Sequence, residues 1–367
     1  MKIEPFGVEQ WMNAWETKCR FNLAETCVDS LTIGELLQIA GRNDDLSALL
    51  PMKMTYGAIE GAERLRAAIA GLYQRQTPAN IVTTHGTIGA NMLVHKALVE
   101  RGDKVVAIVP TYQQHYSIPE ALGAEVVQLR LREENAWLPD LDELKRLARG
   151  ARLIALTNPN NPTGALMGSE MLECIAQIAR AEGAWILCDE VYRGTEQSGI
   201  LTPSMAEIYE RGISTASVSK AFSLAGLRCG WIAAPDEVIE KVLVQRDYDT
   251  ISVGQVDEFL ATMAVEASDR IFARGRAITS TNLGLVGDWL DTRPALHWVR
   301  PDAGTTALIR YDRDEASWPL CERLLAETGV MLTPGSAFGL EGHLRIGFGN
   351  PTDALRDGLH AMVRFWD

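Results

Sequence analysis

Ser217-Val-Ser219-Lys220-Ala-Phe-Ser-Leu-Ala-Gly226-Leu-Arg228-Cys-Gly230-Trp231 lies directly after the apolar run that begins at Ile213. A lysine taken alone is most often a solvated surface residue. Here hydroxyls precede Lys220 by one and three residues, and an arginine follows it by eight, inside a Gly-x-Arg-x-Gly frame. Arg228 and Ser217 can hold a dianionic phosphate while the Lys220 amine stays close enough to a carbonyl to form an imine. One cluster would then hold both ends of a single cofactor.

Outward from this segment, short apolar runs alternate with helical patterns. The runs are KVVAIV from 104, AEVVQL from 124, RLIALT from 152, WILCDE from 185, ISTASV from 213 and GWIAA from 230. Helix-length segments lie between several of them, notably DLDELKRLAR from 140 and SEMLECIAQIARAEG from 169. Ahead of them, EGAERLRAAIAGLYQR from 60 puts Leu65, Ile69, Leu72 and Tyr73 on one helical face. The alternation predicts an α/β fold with a mostly parallel sheet flanked by helices and ligands at the carboxyl ends of its strands.

Past about residue 275 the pattern changes. HWVRP, TTALIRY, GVMLTP and HLRIGF read as strands, and residues 315–327 and 352–365 as helices. We expect a large domain over 45–275 and a smaller α+β domain made of 1–44 and 276–367. A chain of 367 residues suits two such units.

The balance of 35 Lys+Arg against 48 Asp+Glu leaves a formal charge of -13. That field repels nucleic acid and anionic membrane, so a phosphate must be held by a local pocket. The stretch MKIEPFGVEQ has acids and a proline where a secretory signal needs a basic end and an apolar run, and no segment reaches membrane-spanning length. The six cysteines form no CxxC and stand near no histidine pair. They read as reduced thiols of a cytoplasmic protein without a metal site, with Cys188 and Cys229 as small core fillers.

Four further motifs stand in register with the lysine segment. Asn158-Pro-Asn-Asn161-Pro-Thr-Gly164 follows the strand RLIALT and, alone, would be a Pro/Gly/Asn turn. WILCDE ends in Asp189-Glu190-Val-Tyr192, where the acid could merely cap a helix. Thr83-Thr-His85-Gly86-Thr87-Ile88 opens a helical stretch, and backbone N–H groups at a helix start suit an anion. Leu344-Arg345-Ile-Gly-Phe348 buries an arginine in an apolar strand, which is costly unless the charge is paired.

With these motifs, and with Pro110-Thr-Tyr112, Tyr56-Gly57 and Pro334-Gly335-Ser336, the chain resembles the class I/II (fold type I) PLP-dependent aminotransferase superfamily, which has the aspartate-aminotransferase fold. The motifs run from Tyr56 to Phe348. The resemblance implies pyridoxal 5′-phosphate (PLP) as cofactor and Lys220 as the residue that holds it and later moves the substrate's α-proton. It gives Asp189 the pyridine nitrogen, Asn161 and Tyr192 the ring oxygen, and Gly86, Thr87, Ile88, Ser217 and Arg228 the phosphate. Tyr112 would stack on the ring and Arg345 would take the substrate α-carboxylate. Tyr56 would reach the phosphate of a neighbouring subunit, which implies a homodimer acting on an amino acid and a 2-oxo acid.

In two places the chain departs from its relatives. Where many of them carry a glycine-containing stretch beside the substrate, residues 23–26 read Leu-Ala-Glu25-Thr26. Glu25 would favour a cationic substrate side chain, or else serve only as a surface acid. His85, just before the phosphate turn, has no implied catalytic role. Aminotransfer is the superfamily's commonest outcome, but the same cofactor motifs serve lyases, γ-replacement on substrates such as S-adenosylmethionine, and amino-acid oxidases. A non-catalytic PLP-binding regulator ranks below these, and a Rossmann dehydrogenase is poorer still because no strand is followed by Gly-x-Gly-x-x-Gly.

Overall fold

The computed structural model describes residues 2–367. Seven strands form the central sheet: Ile81–His85, Lys104–Val109, Glu125–Arg130, Leu153–Thr157, Trp185–Asp189, Gly212–Ser217 and Cys229–Ala233. In space their order is first, seventh, sixth, fifth, fourth, second, third. Cys229–Ala233 runs against both of its neighbours, and the other six strands share one direction. The central strands are buried along their whole length, as sheets covered by helices on both faces must be.

Six of these strands match the apolar runs in the sequence. The remaining strand, Ile81–His85, has no apolar run to announce it, because Thr83 and Thr84 interrupt it. It is nonetheless buried at the sheet edge, where Thr83 donates to the buried Glu258 at 2.7 Å. The helix expected from 60 is shorter, Glu63–Ala70. Leu72 and Tyr73 fall in the turn beyond Gly71, yet Tyr73 is still buried against Trp231, whose indole donates to its hydroxyl at 2.9 Å.

A second sheet has four antiparallel strands: Leu296–Trp298, Thr306–Tyr311, Thr333–Pro334 and His343–Gly347. The run GVMLTP divides between sheets. Val330–Met331 pairs instead with Phe21–Asn22, which ties the N-terminal segment to the C-terminal part. Leu36 of the helix Ile33–Ala40 packs on the other side, with Leu65 and Ile69 of the large-sheet region. The 24-residue helix Ser268–Asp291 runs through the position where the composition shifts.

One helix that the sequence reading did not anticipate, Gly7–Trp15, bears directly on the site. Its Gly7 N–H donates to the Gln113 side chain at 2.8 Å, and Gln113 donates in turn to the Pro5 carbonyl at 3.0 Å. A Cβ at Gly7 would lie 3.1 Å from the Ala337 carbonyl, so this helix start touches both the large-sheet loop and the small-sheet turn. Trp11 anchors its far side in the core, edge-on to Trp318 at 5.0 Å. No helix among the described residues is long and apolar enough to cross a membrane.

Candidate active site

Parallel strands deliver their loops to one edge of the sheet, and the residues singled out in the sequence meet there around a cavity of about 580 Å³. Thr87, Ile88, Tyr112, Asn161, Asp189, Tyr192, Ser217, Lys220, Arg228, Arg345 and Glu25 all line it. Tyr56 does not. It is 74% exposed and borders a separate hollow of about 320 Å³ beside Gln255 and Phe259.

Close packing builds the phosphate end. Gly86 has φ +69°, and a Cβ there would lie 2.7 Å from Arg228 Nη2. Gly230 likewise leaves no room, since its Cβ would meet the Gly86 carbonyl carbon at 2.5 Å. The two glycines therefore let the arginine press against the turn. Arg228 itself takes a left-handed conformation, φ +49°, and donates to the Ala225 carbonyl at 2.8 Å. Beside it the Thr87 hydroxyl is buried without a partner. An orphaned donor, an arginine and a helix start fit a phosphate.

Asp189 lies deep in the site, at the end of its strand. The Val191 N–H donates to its Oδ1 at 3.1 Å and the Asn91 amide to its Oδ2 at 2.8 Å. Asn91 is itself oriented by the Thr215 hydroxyl, which donates to its carbonyl oxygen at 2.6 Å. His115 Nε2 lies 3.8 Å from the same carboxylate. Neither Asn91 nor His115 was singled out from the sequence. Asn91 sits at i+4 from Thr87 on the helix Gly86–Leu98, a spacing that could have pointed to it.

Lys220 follows Ser217 out of the sheet, and its amine donates to the Thr26 hydroxyl at 2.6 Å and approaches Cys27 Sγ at 3.3 Å. Burial pulls the amine down, but Cys27, Tyr192 and Glu25 outweigh it and its pKa is raised. The segment that presents Thr26 lies across the strand His343–Gly347. A Cβ at Gly347 or Gly349 would collide with its backbone, and the Thr305 hydroxyl donates to the Thr26 carbonyl at 2.7 Å.

Glu25 faces the same space. Its Oε1 accepts from the Thr26 and Cys27 N–H groups at 2.7 and 2.9 Å. Burial raises its pKa, but the Lys220 charge and these two donors outweigh burial and the net shift is downward. Tyr192 is buried, which raises its pKa against the opposing Lys220 and Arg345 charges. Tyr112 is held by its hydroxyl, which donates to Glu9 at 2.7 Å, and its ring packs 4.6 Å from Phe6.

Arg345 is 2% exposed. Its Nη1 donates to Asn161 at 3.2 Å, its Nη2 to the Ala24 carbonyl and the Thr333 hydroxyl at 3.0 Å each, and its Nε has no partner. Burial lowers its pKa. Among the described residues no carboxylate pairs with this guanidinium directly, so a carboxylate from outside would complete its shell. His85 ends its strand with Nδ1 buried and unpartnered, and does not line the cavity.

The residues present fit PLP: a phosphate cradle, a carboxylate for the ring nitrogen, donors for the ring oxygen and an amine for the carbonyl. When bound, the cofactor supplies an electron sink for the charge that develops at a substrate α-carbon. The protein's share would be to orient the reacting bond, with the Lys220 amine placed where it could move a proton.

Comparison with known proteins agrees with this geometry. Residues 40–361 match the family model for aminotransferase class I and II. The chain is 32% identical over 362 residues to capreomycidine synthase of Streptomyces vinaceus, covering 97% of this chain and 92% of that one. It is similar to the crystal structure of a PLP-dependent aminotransferase from Streptococcus suis, at 39% identity and a TM-score of 0.96, covering 100% and 99% of the two chains. It is also similar to the structure of the PLP-dependent cyclase OrfR, at 26% identity and a TM-score of 0.93, covering 100% and 98%. The chain belongs to the aminotransferase class I and II family. It has that family's fold and PLP dependence, and it is an enzyme of the aminotransferase kind.

Proposed function

We propose that Lys220, Asp189 and Tyr192 are the catalytic residues of an enzyme that moves the amino group of an α-amino acid to a 2-oxo acid. The observation that carries this reading is the convergence of Lys220, Asp189, Arg228 and Arg345 on one cavity, with Arg345 Nε and the Thr87 hydroxyl both unpartnered. Gly86, Thr87, Ile88, Ser217 and Arg228 take the phosphate, and Asn161 and Tyr192 take the ring oxygen. Tyr112 covers the ring, Arg345 with Asn161 fixes the substrate α-carboxylate, and Glu25 faces the substrate.

Tyr56 serves the partner's site in a homodimer. Its exposure supports this, together with that of Leu50, Met54 and Tyr248 in the same monomer. The division into 45–275 and 1–44 plus 276–367 is supported by the separate seven-stranded and four-stranded sheets, although the helix Ile33–Ala40 packs on the large-sheet side, and a cytoplasmic location by six unpaired cysteines. Visible spectra of the purified protein before and after addition of amino acids test the reading, with product analysis. Equal amounts of 2-oxo acid and new amino acid are expected, and a colourless protein that takes up no PLP would overturn it.

A second reading has specific support. The similarity to capreomycidine synthase and to the OrfR cyclase runs nearly the full length of the chain, which favours a PLP reaction other than aminotransfer, such as ring closure, in the same cavity. A ring-closed product, or ammonia, formed without conversion of the added 2-oxo acid into a new amino acid would select that reading.

A further inference from the structure

The helix Gly7–Trp15 and the residue after it present Glu9, Met12, Asn13 and Glu16 to the cavity, at the i, i+3, i+4 and i+7 spacing of one helical face. Glu25 joins them from the loop. Tyr112 fixes one oxygen of Glu9, and the Thr26 and Cys27 N–H groups fix one oxygen of Glu25, so both carboxylates are held in place at the cavity wall.

The charges lining the cavity do not balance once its other tasks are assigned. The cations are Lys220, Arg228 and Arg345, and the acids are Glu9, Glu16, Glu25 and Asp189. On the proposed reading of this site, Arg228 is matched by phosphate, Asp189 by the ring nitrogen, and Lys220 is committed to the cofactor. The unpartnered Nε of Arg345, on a guanidinium 2% exposed, indicates that an anion completes that end. An α-carboxylate there leaves Glu9, Glu16 and Glu25 facing the rest of the substrate with no cation to oppose them. Glu9 and Glu25 are half-buried and Glu16 is exposed, and a cationic group reaching them pairs with carboxylates that no cation lining the cavity then opposes.

The geometry points to an α-amino acid with a cationic side chain, guanidinium or ammonium, as the substrate class, with Glu9 and Glu16 of the N-terminal helix as specificity-determining residues beside Glu25. The helix is suited to the task because Gln113 and the turn at Ala337 fix its start while Trp11 fixes its far side. The carboxylates are thereby pre-positioned over the cavity instead of swinging freely. This inference rests on the PLP reading of the same cavity.

The test compares arginine with citrulline, which has the same shape but no charge, and lysine with norleucine. PLP-loaded protein is mixed with each, and the second-order rate of the spectral change is measured. The charged member of each pair is expected to react faster by about tenfold or more. In Glu16→Gln and Glu9→Gln proteins the arginine-to-citrulline ratio is expected to fall towards one, with PLP uptake as the check on folding. Equal rates for arginine and citrulline in the wild-type protein overturn the inference and leave the PLP reading standing. An unchanged ratio in both variants removes the helix from specificity. A protein that takes up no PLP overturns both readings.

Discussion

The Asn91 amide donates to Asp189 Oδ2 at 2.8 Å, and the Thr215 hydroxyl, at 2.6 Å from the Asn91 oxygen, decides which way that amide points. All three side chains are buried. Asp189 is thus held from the sheet side by a hydrogen-bond chain that begins on the neighbouring strand and passes through the helix after the phosphate turn. The orientation of its carboxylate, which we propose faces the ring nitrogen, is set by these partners as much as by its own strand.

Asn91→Leu keeps the volume and removes the donor. It is expected to weaken PLP binding by roughly ten- to a hundredfold, the usual worth of one hydrogen bond to a buried charged group. Equilibrium dialysis of PLP against cofactor-free protein measures this directly. Thr215→Val should weaken binding in the same direction by less, since Asn91 then keeps its donor but loses its orientation. Unchanged affinity in both variants would show that the backbone contact from Val191 suffices.

Arg345→Lys retains the charge but cannot reproduce the fork that now contacts Asn161, Ala24 and Thr333 at once. We expect kcat/KM for the amino acid to drop by about a hundredfold or more, chiefly through KM, with PLP affinity unchanged. Steady-state kinetics alongside a PLP titration separate the two effects. A loss of PLP binding instead would assign Arg345 to the cofactor.

The motifs made Lys220, Asp189, Asn161, Arg228 and Arg345 legible in the sequence because each lies at a strand end or in a strand of strong apolar pattern, where local spacing fixes position. What was not legible came from long-range packing. Ile81–His85 has threonines where an apolar signal would be, and it is a strand because neighbouring backbone pairs with it. Asn91 carries no local signal, because its role depends on Thr215, 124 residues further along the chain, which donates to its carbonyl oxygen. The helix Gly7–Trp15 carries tryptophans on one side and acids on the other, but which cavity the acids face depends on contacts with Gln113 and Ala337. Glu25 was visible only as a departure from relatives, and its contact with the Lys220 neighbourhood depends on glycines more than 300 residues further along.

Glu25 also gives the protein a pH signature in the cofactor-free state. Its folded-state pKa lies below the ordinary 4.5, because the Lys220 charge and two N–H donors outweigh burial. The folded state therefore binds this proton less tightly than the unfolded state does. The resulting stabilisation is complete above the ordinary value and is lost as pH falls through the depressed folded value. Glu25→Gln should lower the thermal midpoint at neutral pH, and the gap from wild type should close progressively below about pH 4.5. A gap that stays constant down to the acid limit would mean that the amide keeps every contact the carboxylate makes.

The placement of Tyr56 can be decided by mixing two damaged proteins. Tyr56 is exposed outside its own chain's cavity, while Lys220 lies within it. If Tyr56 serves the partner's site, a dimer of one Lys220→Ala chain and one Tyr56→Ala chain contains one site with both lesions and one site with none. If Tyr56 serves its own site, every site in every dimer carries a lesion. Each variant alone is expected to be strongly impaired. Unfolding and refolding an equal mixture should then restore about a quarter of wild-type turnover, since half of the random dimers are mixed and each has one intact site. Recovery requires both a dimer and exchange of Tyr56 across it. A mixture no more active than its components would put the tyrosine elsewhere and leave Arg228, Ser217 and the Gly86 turn as the phosphate's only holders.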